Sequence, residues 1–209
     1  MTMIIRFFYK KKPSNKLMKR LSLYIFLILF SLQTPSQADD IRDFQIEGMS
    51  IGDSLLDYFS EEEINKRNIF YYPKSKKFAG ISFGDQSFYQ VYESVQFSYD
   101  PKNKKIYGIS GKIHYPNNIK DCFTKKDEIV SELSEIFKDT AEIRDVGTFK
   151  HSFDKSGKST VTSIYFEFDS GGSIKVQCHD WSKDMVYEDK LLVSIDHVKF
   201  RKFLREEAY

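Results

Sequence analysis

Cys178, His179 and Asp180 stand in succession, a thiol, an imidazole and a carboxylate, the residue types of nucleophilic catalysis. Such chemistry needs the base within hydrogen-bond reach of the nucleophile. The alternating residues around them read as a β-strand, and strand neighbours point to opposite faces. Cys178 then enters the core with Ile174 and Val176, and His179 faces away from it, so the two form no thiolate–imidazole pair directly. What remains is a polar row of Lys175, Gln177, His179 and Trp181, joined by Tyr165 and Glu167 from the preceding strand. A solvated sheet face carrying Tyr and Trp can hold a flat ligand, a glycan or another protein. The same composition also suits an ordinary face partly covered by a loop. A hydrolase using His179 with nearby acidic residues is the enzymatic alternative, and it requires a concave pocket that brings His179 close to a carboxylate or hydroxyl.

Other letters that suggest chemistry fail on spacing. Gly157 to Thr160 reads GKST, but it lacks the upstream glycine and the following helix of a phosphate loop. The acidic run Glu61 to Glu63 sits where a helix amino terminus favours negative charge, which explains it without a metal. No paired metal cysteines, zinc helix or serine elbow occurs, and the other three histidines are scattered. The sequence therefore indicates no catalytic residue, no metal and no cofactor.

Cys122 and Cys178 are the two cysteines. In an oxidising compartment such a pair is expected to form a disulfide, and closing that loop is worth about 4 kcal/mol in chain entropy. The other reading of Cys178 is a catalytic thiol beside His179.

The elements that must position these residues follow from periodicity. Ser50 to Asp53 has a capping-box spacing and precedes Ile51, Leu55, Leu56 and Phe59 at helical intervals, predicting a helix to about Phe59. Ser60 to Glu63 repeats the cap signal. Residues 78–99 read as strands, with Val91, Val95, Phe97 and Tyr99 on one face. After the turn at Asp100 to Asn103, Tyr107, Ile109, Ile113 and Tyr115 share a face, and Ser110, Lys112 and His114 the other. Thr124 to Asp127 caps an amphipathic helix whose stripe is Ile129, Leu133, Ile136 and Phe137, with Cys122 just before it. The segment 143–153 gives only a weak signal. Residues 160–168 and the return strand through Cys178 make a hairpin around Asp169 to Gly172. Leu191, Val193 and Ile195 form a last strand, and a short helix runs from Asp196 to about Leu204. The order predicts an α+β fold, an antiparallel sheet with helices packed on one face. Both halves read as helix then β-meander, which suggests tandem lobes at 41–118 and 119–209.

An address label precedes this domain. Lys19 and Arg20, the uncharged run Leu21 to Leu32, and small residues Ser36 and Ala38 make the tripartite export pattern. The apolar run is shorter than the roughly 20 residues that span a bilayer. The pattern predicts a signal peptide at 18–38, cleavage after Ala38 and a periplasmic or secreted domain at 39–209, with membrane contact only through the uncleaved segment. An uncleaved anchor is the alternative. Met18 suits a start codon, and 1–17 then reads as an extra basic leader. Residues 1–38 carry seven Lys and Arg and no Asp or Glu, so the remainder holds 25 basic against 30 acidic residues, net −5. That balance removes the usual argument for a nucleic-acid partner.

The segments IEGMSIGDSLLDYFSEEEI, YESVQFSYDPKNKKIYGISG, HSFDKSGKSTVTSIYFEFDSGGSIKVQCHDWS and LLVSIDHVKF resemble a family of small exported proteins of Pelagibacter-type marine alphaproteobacteria. That family carries no assigned activity, so the resemblance implies export and no substrate, cofactor or site residue. The layout also resembles the small outer-membrane assembly lipoproteins and the tandem-lobed β-lactamase inhibitor proteins. It departs from the former in lacking a lipid-accepting Cys, and fold does not imply function. Three functions are expected candidates: a non-enzymatic binding or interaction module for a periplasmic protein or small ligand, a hydrolase built on His179, and an envelope-assembly protein.

Overall fold

Alternation of apolar and polar residues produces strands, and these strands pair into one sheet. The structure, a computed structural model, describes Ile41 and residues 44–84, 86–116 and 118–209. The leader and signal segment expected at 1–38 lie outside the described residues. β1 (Gln45–Ile46) and β2 (Met49–Ser50) form a small hairpin. The main sheet contains β3 (Phe70–Tyr72), β4 (Ser75–Gly84), β5 (Ser94–Tyr99) and β6 (Ile106–His114), then β7 (Ala141–Lys150), β8 (Thr160–Phe168), β9 (Ser173–Asp180) and β10 (Lys190–Asp196). Its order is β3-β4-β5-β6-β10-β9-β8-β7, antiparallel throughout. Two four-stranded meanders thus meet last strand to last strand, and the fold is the antiparallel α+β class that the sequence predicts.

One face of this sheet is the core. Ile81 and Phe83 of β4, Val95 and Phe97 of β5, Ile109 of β6, Leu191, Val193 and Ile195 of β10, and Ile174, Val176 and Cys178 of β9 share it, all buried. Gly111 sits among them because the Tyr92 ring fills the space of a side chain: a Cβ there would lie 2.5 Å from the ring. The amino-terminal segment covers β4 and β5, with the Phe59 ring stacked 3.7 Å from that of Phe83. Glu47 braces this segment, its carboxylate accepting from the backbone amides of Gln90, Val91 and Tyr92 at 2.7–2.8 Å. Helix α2 (Ile119–Ile136) covers β9 and β10, and Cys122 forms a disulfide with Cys178. None of the described helices is long and apolar enough to cross a membrane.

Several local expectations are corrected. No helix forms over 50–59. Ser50 ends β2, its amide donates to Asp53 at 2.8 Å, and a 3-10 turn follows at Leu55–Asp57, capped by Ser54. The second cap signal does open a helix, α1 (Glu61–Asn65), with the Ser60–Glu63 capping box complete. Helix α2 starts five residues before Thr124, so Cys122 lies inside it, and Thr124 donates to the Lys120 carbonyl instead of capping. A register shift opposite Ser98 and Tyr99 turns Tyr107 away from the core face, beside Phe78. The weak segment is a full strand, β7, held by pairing to β8 and interrupted by a bulge at Asp145/Gly147.

The last helix, α3 (Val198–Glu206), lies across the other face at one end of the sheet. His197 caps it, and Phe200 and Phe203 pack on Tyr72 and Phe78. Gly108 lets it approach, because a Cβ there would meet the Phe200 ring at 3.1 Å.

Candidate functional site

Sheet register places the polar side chains of the second face in rows that cross the strands. Nearest α3, Ser98, Gly108, Asp196, Ser173 and Glu167 lie side by side on β5, β6, β10, β9 and β8. The next row is Gln96, Ser110, Ser194, Lys175, Tyr165 and Arg144, and the one after it Ser94, Lys112, Leu192, Gln177 and Ser163. The farthest row is His114, Lys190, His179, Val161 and Phe149. All six residues singled out from the sequence, Tyr165, Glu167, Lys175, Gln177, His179 and Trp181, lie on or beside this face. They divide into two groups with different surroundings.

Tyr165, Glu167 and Lys175 belong to an ion-pair network under α3. Glu167 receives Arg201 at 2.7 Å and Arg144 at 3.2 Å. Burial acts to raise its pKa, but the two guanidiniums outweigh that and hold it below the usual carboxylate range. Lys175 pairs with buried Asp196. Burial alone would lower its pKa, yet the Asp196 carboxylate holds the ammonium above its ordinary value. Arg144 and Lys175 both stand over the Tyr165 ring. These charges are satisfied internally, so this group has the character of a fastening for α3.

Gln177, His179 and Trp181 lie at the opposite end, and there the charges are not balanced. The His179 ring is 5.3 Å from that of His151, which in turn lies 4.1 Å from Trp181, and Tyr187 continues the row 4.6 Å from Trp181. Lys190 sits 5.7 Å above the Trp181 ring. Neither ring nitrogen of His179 and no partner for the Trp181 indole N–H is satisfied by a hydrogen bond among the described residues. Burial, then Lys190, His151 and Lys112, push the His179 pKa down to about 3. Burial also lowers Lys190, and burial together with Lys190 lowers Lys112. Both lysines are half-buried, and neither has an ion pair with a carboxylate among the described residues; Lys112 meets only the Gln96 amide oxygen, at 3.2 Å.

Two loops bring the aromatic rings together. Asp154 accepts from the amide and hydroxyl of Ser159 at 2.9 and 2.7 Å and from the Ser156 amide at 2.8 Å, bonds that hold its carboxyl well below the usual range. The Ser159 hydroxyl then accepts from the Ser182 amide at 3.0 Å, tying the β7–β8 loop to the β9–β10 loop. Asp189 closes the second loop by accepting from the Trp181 amide at 2.7 Å. Beyond the rings the surface stays apolar: Phe149, Phe153, Val186 and Tyr187 are exposed.

No family model, curated protein or solved structure matches the chain.

The chemistry of the site is therefore read from its geometry. Cys178 is bonded to Cys122 and points into the core, so it offers no thiolate beside His179. The imidazole of His179 faces lysines and rings, and no carboxylate or hydroxyl bonds to it among the described residues. A base held near 3 takes up few protons at neutral pH. No group of three or more acidic, His or Cys residues suited to a metal occurs among the described residues. A hollow of about 270 Å³ lies elsewhere, between Ile51, Gly52, Lys105, Tyr107 and His197, and includes none of the six residues.

His151, Tyr187, Lys112 and Lys190 were not singled out from the sequence. Lys112 was readable as facing away from the core. Lys190 and His151 were not, because only the pairing of β10 between β6 and β9, and the tie between two loops, bring them to His179.

Proposed function

We propose that the chain is an exported, non-enzymatic interaction module that receives a protein partner on the second face of its sheet. The observation that carries this reading is the exposed apolar patch of Phe149, Phe153, Val186 and Tyr187, which continues the His179–His151–Trp181 row beside two lysines that have no ion pair among the described residues. Aromatic side chains are enriched at the centre of protein–protein interfaces, which a polar rim surrounds. Exposed apolar clusters of this kind otherwise carry a cost in solubility. From Lys112 on β6 to Phe149 on β7 the surface crosses four strand spacings, about 19 Å at ~4.8 Å each. That breadth suits a macromolecule better than an enclosed small ligand.

Export is supported by the tripartite pattern before Asp39 and by the Cys122–Cys178 disulfide, which persists in oxidising compartments. The family resemblance of the sequence agrees with it. Two measurements test the reading. Mass spectrometry of the cell-derived protein is expected to find Asp39 at its amino terminus; an intact leader on a cytosolic protein would refute export. A photo-crosslinking residue at Phe153, 70% exposed, is expected to capture a discrete protein in living cells, and one at Glu128 on α2 is not. Equal capture from both positions, or none from Phe153, would refute the assignment of the face.

A further inference from the structure

We infer that the lysine pair Lys112–Lys190 is the anchor of this face and takes carboxylates from an acidic segment of the partner protein. The inference rests on the proposed role of the face and adds the chemistry that the partner must present.

Two lysines on neighbouring strands, one row apart, are diagonal neighbours about 7–8 Å apart, with their Cβ atoms somewhat closer, near enough for both ammonium groups to reach one acidic segment. The side chains across from Lys190 supply no negative charge: His179, neutral at pH 7, lies directly opposite on β9, and His151 lies against His179. Among the described residues, Glu93, Asp189, Asp180 and Asp196 are engaged or aimed elsewhere. Glu93 is bonded to the His114 ring at 2.6 Å and to its amide at 3.1 Å. Asp189 is spent on the Trp181 amide. Asp180 alternates with His179 and so points to the other face of β9. Asp196 is held by Lys175 two rows away. Half-buried ammonium groups normally acquire a counter-charge, because burying an unpaired charge is costly. Among the described residues no carboxylate is paired with either lysine, and the pair lies beside an apolar patch that an incoming protein would cover. The net charge of −5 after residue 38 is no obstacle, since at physiological salt charges beyond about 8 Å are screened and the local pair governs.

An acidic segment is favoured over a free anion by the adjoining rings. A phosphate ion would use the ammonium groups and leave the Trp181–Tyr187 wall untouched. An acidic peptide would neutralise the lysines and lay its backbone and stems on that wall.

Trp181 is the sole tryptophan and stands under Lys190, so its emission reports on the anchor directly. Titration with poly-L-glutamate at low salt is expected to give a saturable change in Trp181 fluorescence, weakened at least about tenfold by Lys112→Gln with Lys190→Gln and weakened by added salt. Inorganic phosphate at equal charge is expected to give none. The lysines repel each other, so the double variant is expected to stay folded by circular dichroism; Lys190→Gln alone gives the same comparison with a smaller effect. Absence of a saturable change in the native protein, an equal response in the variants, or saturation by phosphate alone would overturn the inference. Repeating the Phe153 crosslink with the double variant separates the two levels. Undiminished capture removes the acidic anchor and keeps the face; no capture by the native protein removes the face itself.

Discussion

A histidine that accepts a proton less readily in the folded chain than in the unfolded one makes stability depend on pH, and His179 is such a group. Its surroundings hold it near 3 against an ordinary 6.5. Above pH 7 it is neutral folded and unfolded, and contributes no pH dependence. As pH falls below 6.5 the unfolded chain binds a proton that the folded chain refuses, so unfolding gains and stability is lost, until the folded group itself titrates near 3. At pH 5 the difference amounts to about 2 kcal/mol. For a domain of this size that is about 4–8 °C in melting temperature.

The assay is urea unfolding followed by far-UV circular dichroism at pH 7.5 and pH 5, on the native protein and on His179→Phe. Phenylalanine keeps a ring against His151 and Trp181 and removes both the proton site and the two unsatisfied nitrogens. The variant is expected to lose about 2 kcal/mol less than the native protein over that interval. His151, also depressed by burial and by Lys190, stays in both proteins and cancels in the difference. Asp154 and Glu167, both lowered, lose their contribution only as pH falls below the ordinary carboxylate range, and cancel likewise. An equal loss in both proteins would show that His179 is solvated and protonates freely, and the charge-unbalanced description of the site would fail with it.

Two further outcomes test the frame that carries the face. Replacing both Cys122 and Cys178 by Ser opens a loop with a sequence separation of 56, and urea unfolding is expected to show a loss of about 4 kcal/mol; an unchanged midpoint would mean that the bond does not constrain the unfolded chain. Gly111→Ala drives a methyl to 2.5 Å from the Tyr92 ring, and is expected to lower stability by about 1–3 kcal/mol. A neutral result would show that the ring does not cap the strand there.

The sequence made the strands legible wherever one face is dry. β8 and β9 alternate without interruption, and the five polar candidates on them fall on one face as the period of two requires. It failed where tertiary pairing overrides weak local preference. β7 is exposed along most of its length and exists because β8 offers it a ladder. Ser50 to Asp53 has cap letters but serves the end of a hairpin, since Met49 pairs with Ile46. Tyr107 left its predicted face because one extra residue in β6 reverses the alternation locally. The candidate site divided for a related reason. Residue type alone does not distinguish Lys175, paired with Asp196, from Lys190, which pairs with no carboxylate among the described residues; only register says which neighbour each lysine meets.

That distinction locates the recognition chemistry at one end of the face. The end under α3 is closed: Glu167, Arg144, Arg201, Lys175 and Asp196 neutralise one another, and an incoming group would have to break those pairs to gain new ones. The far end has the opposite balance. Its rings are set by loops tied through Asp154, Ser159 and Ser182, so little ordering remains to be done on binding. Its lysines, having no pairs to break among the described residues, release the repulsion between them when a carboxylate arrives. Binding energy is therefore available where the face is unbalanced and absent where it is satisfied, although both ends carry the same kinds of residue.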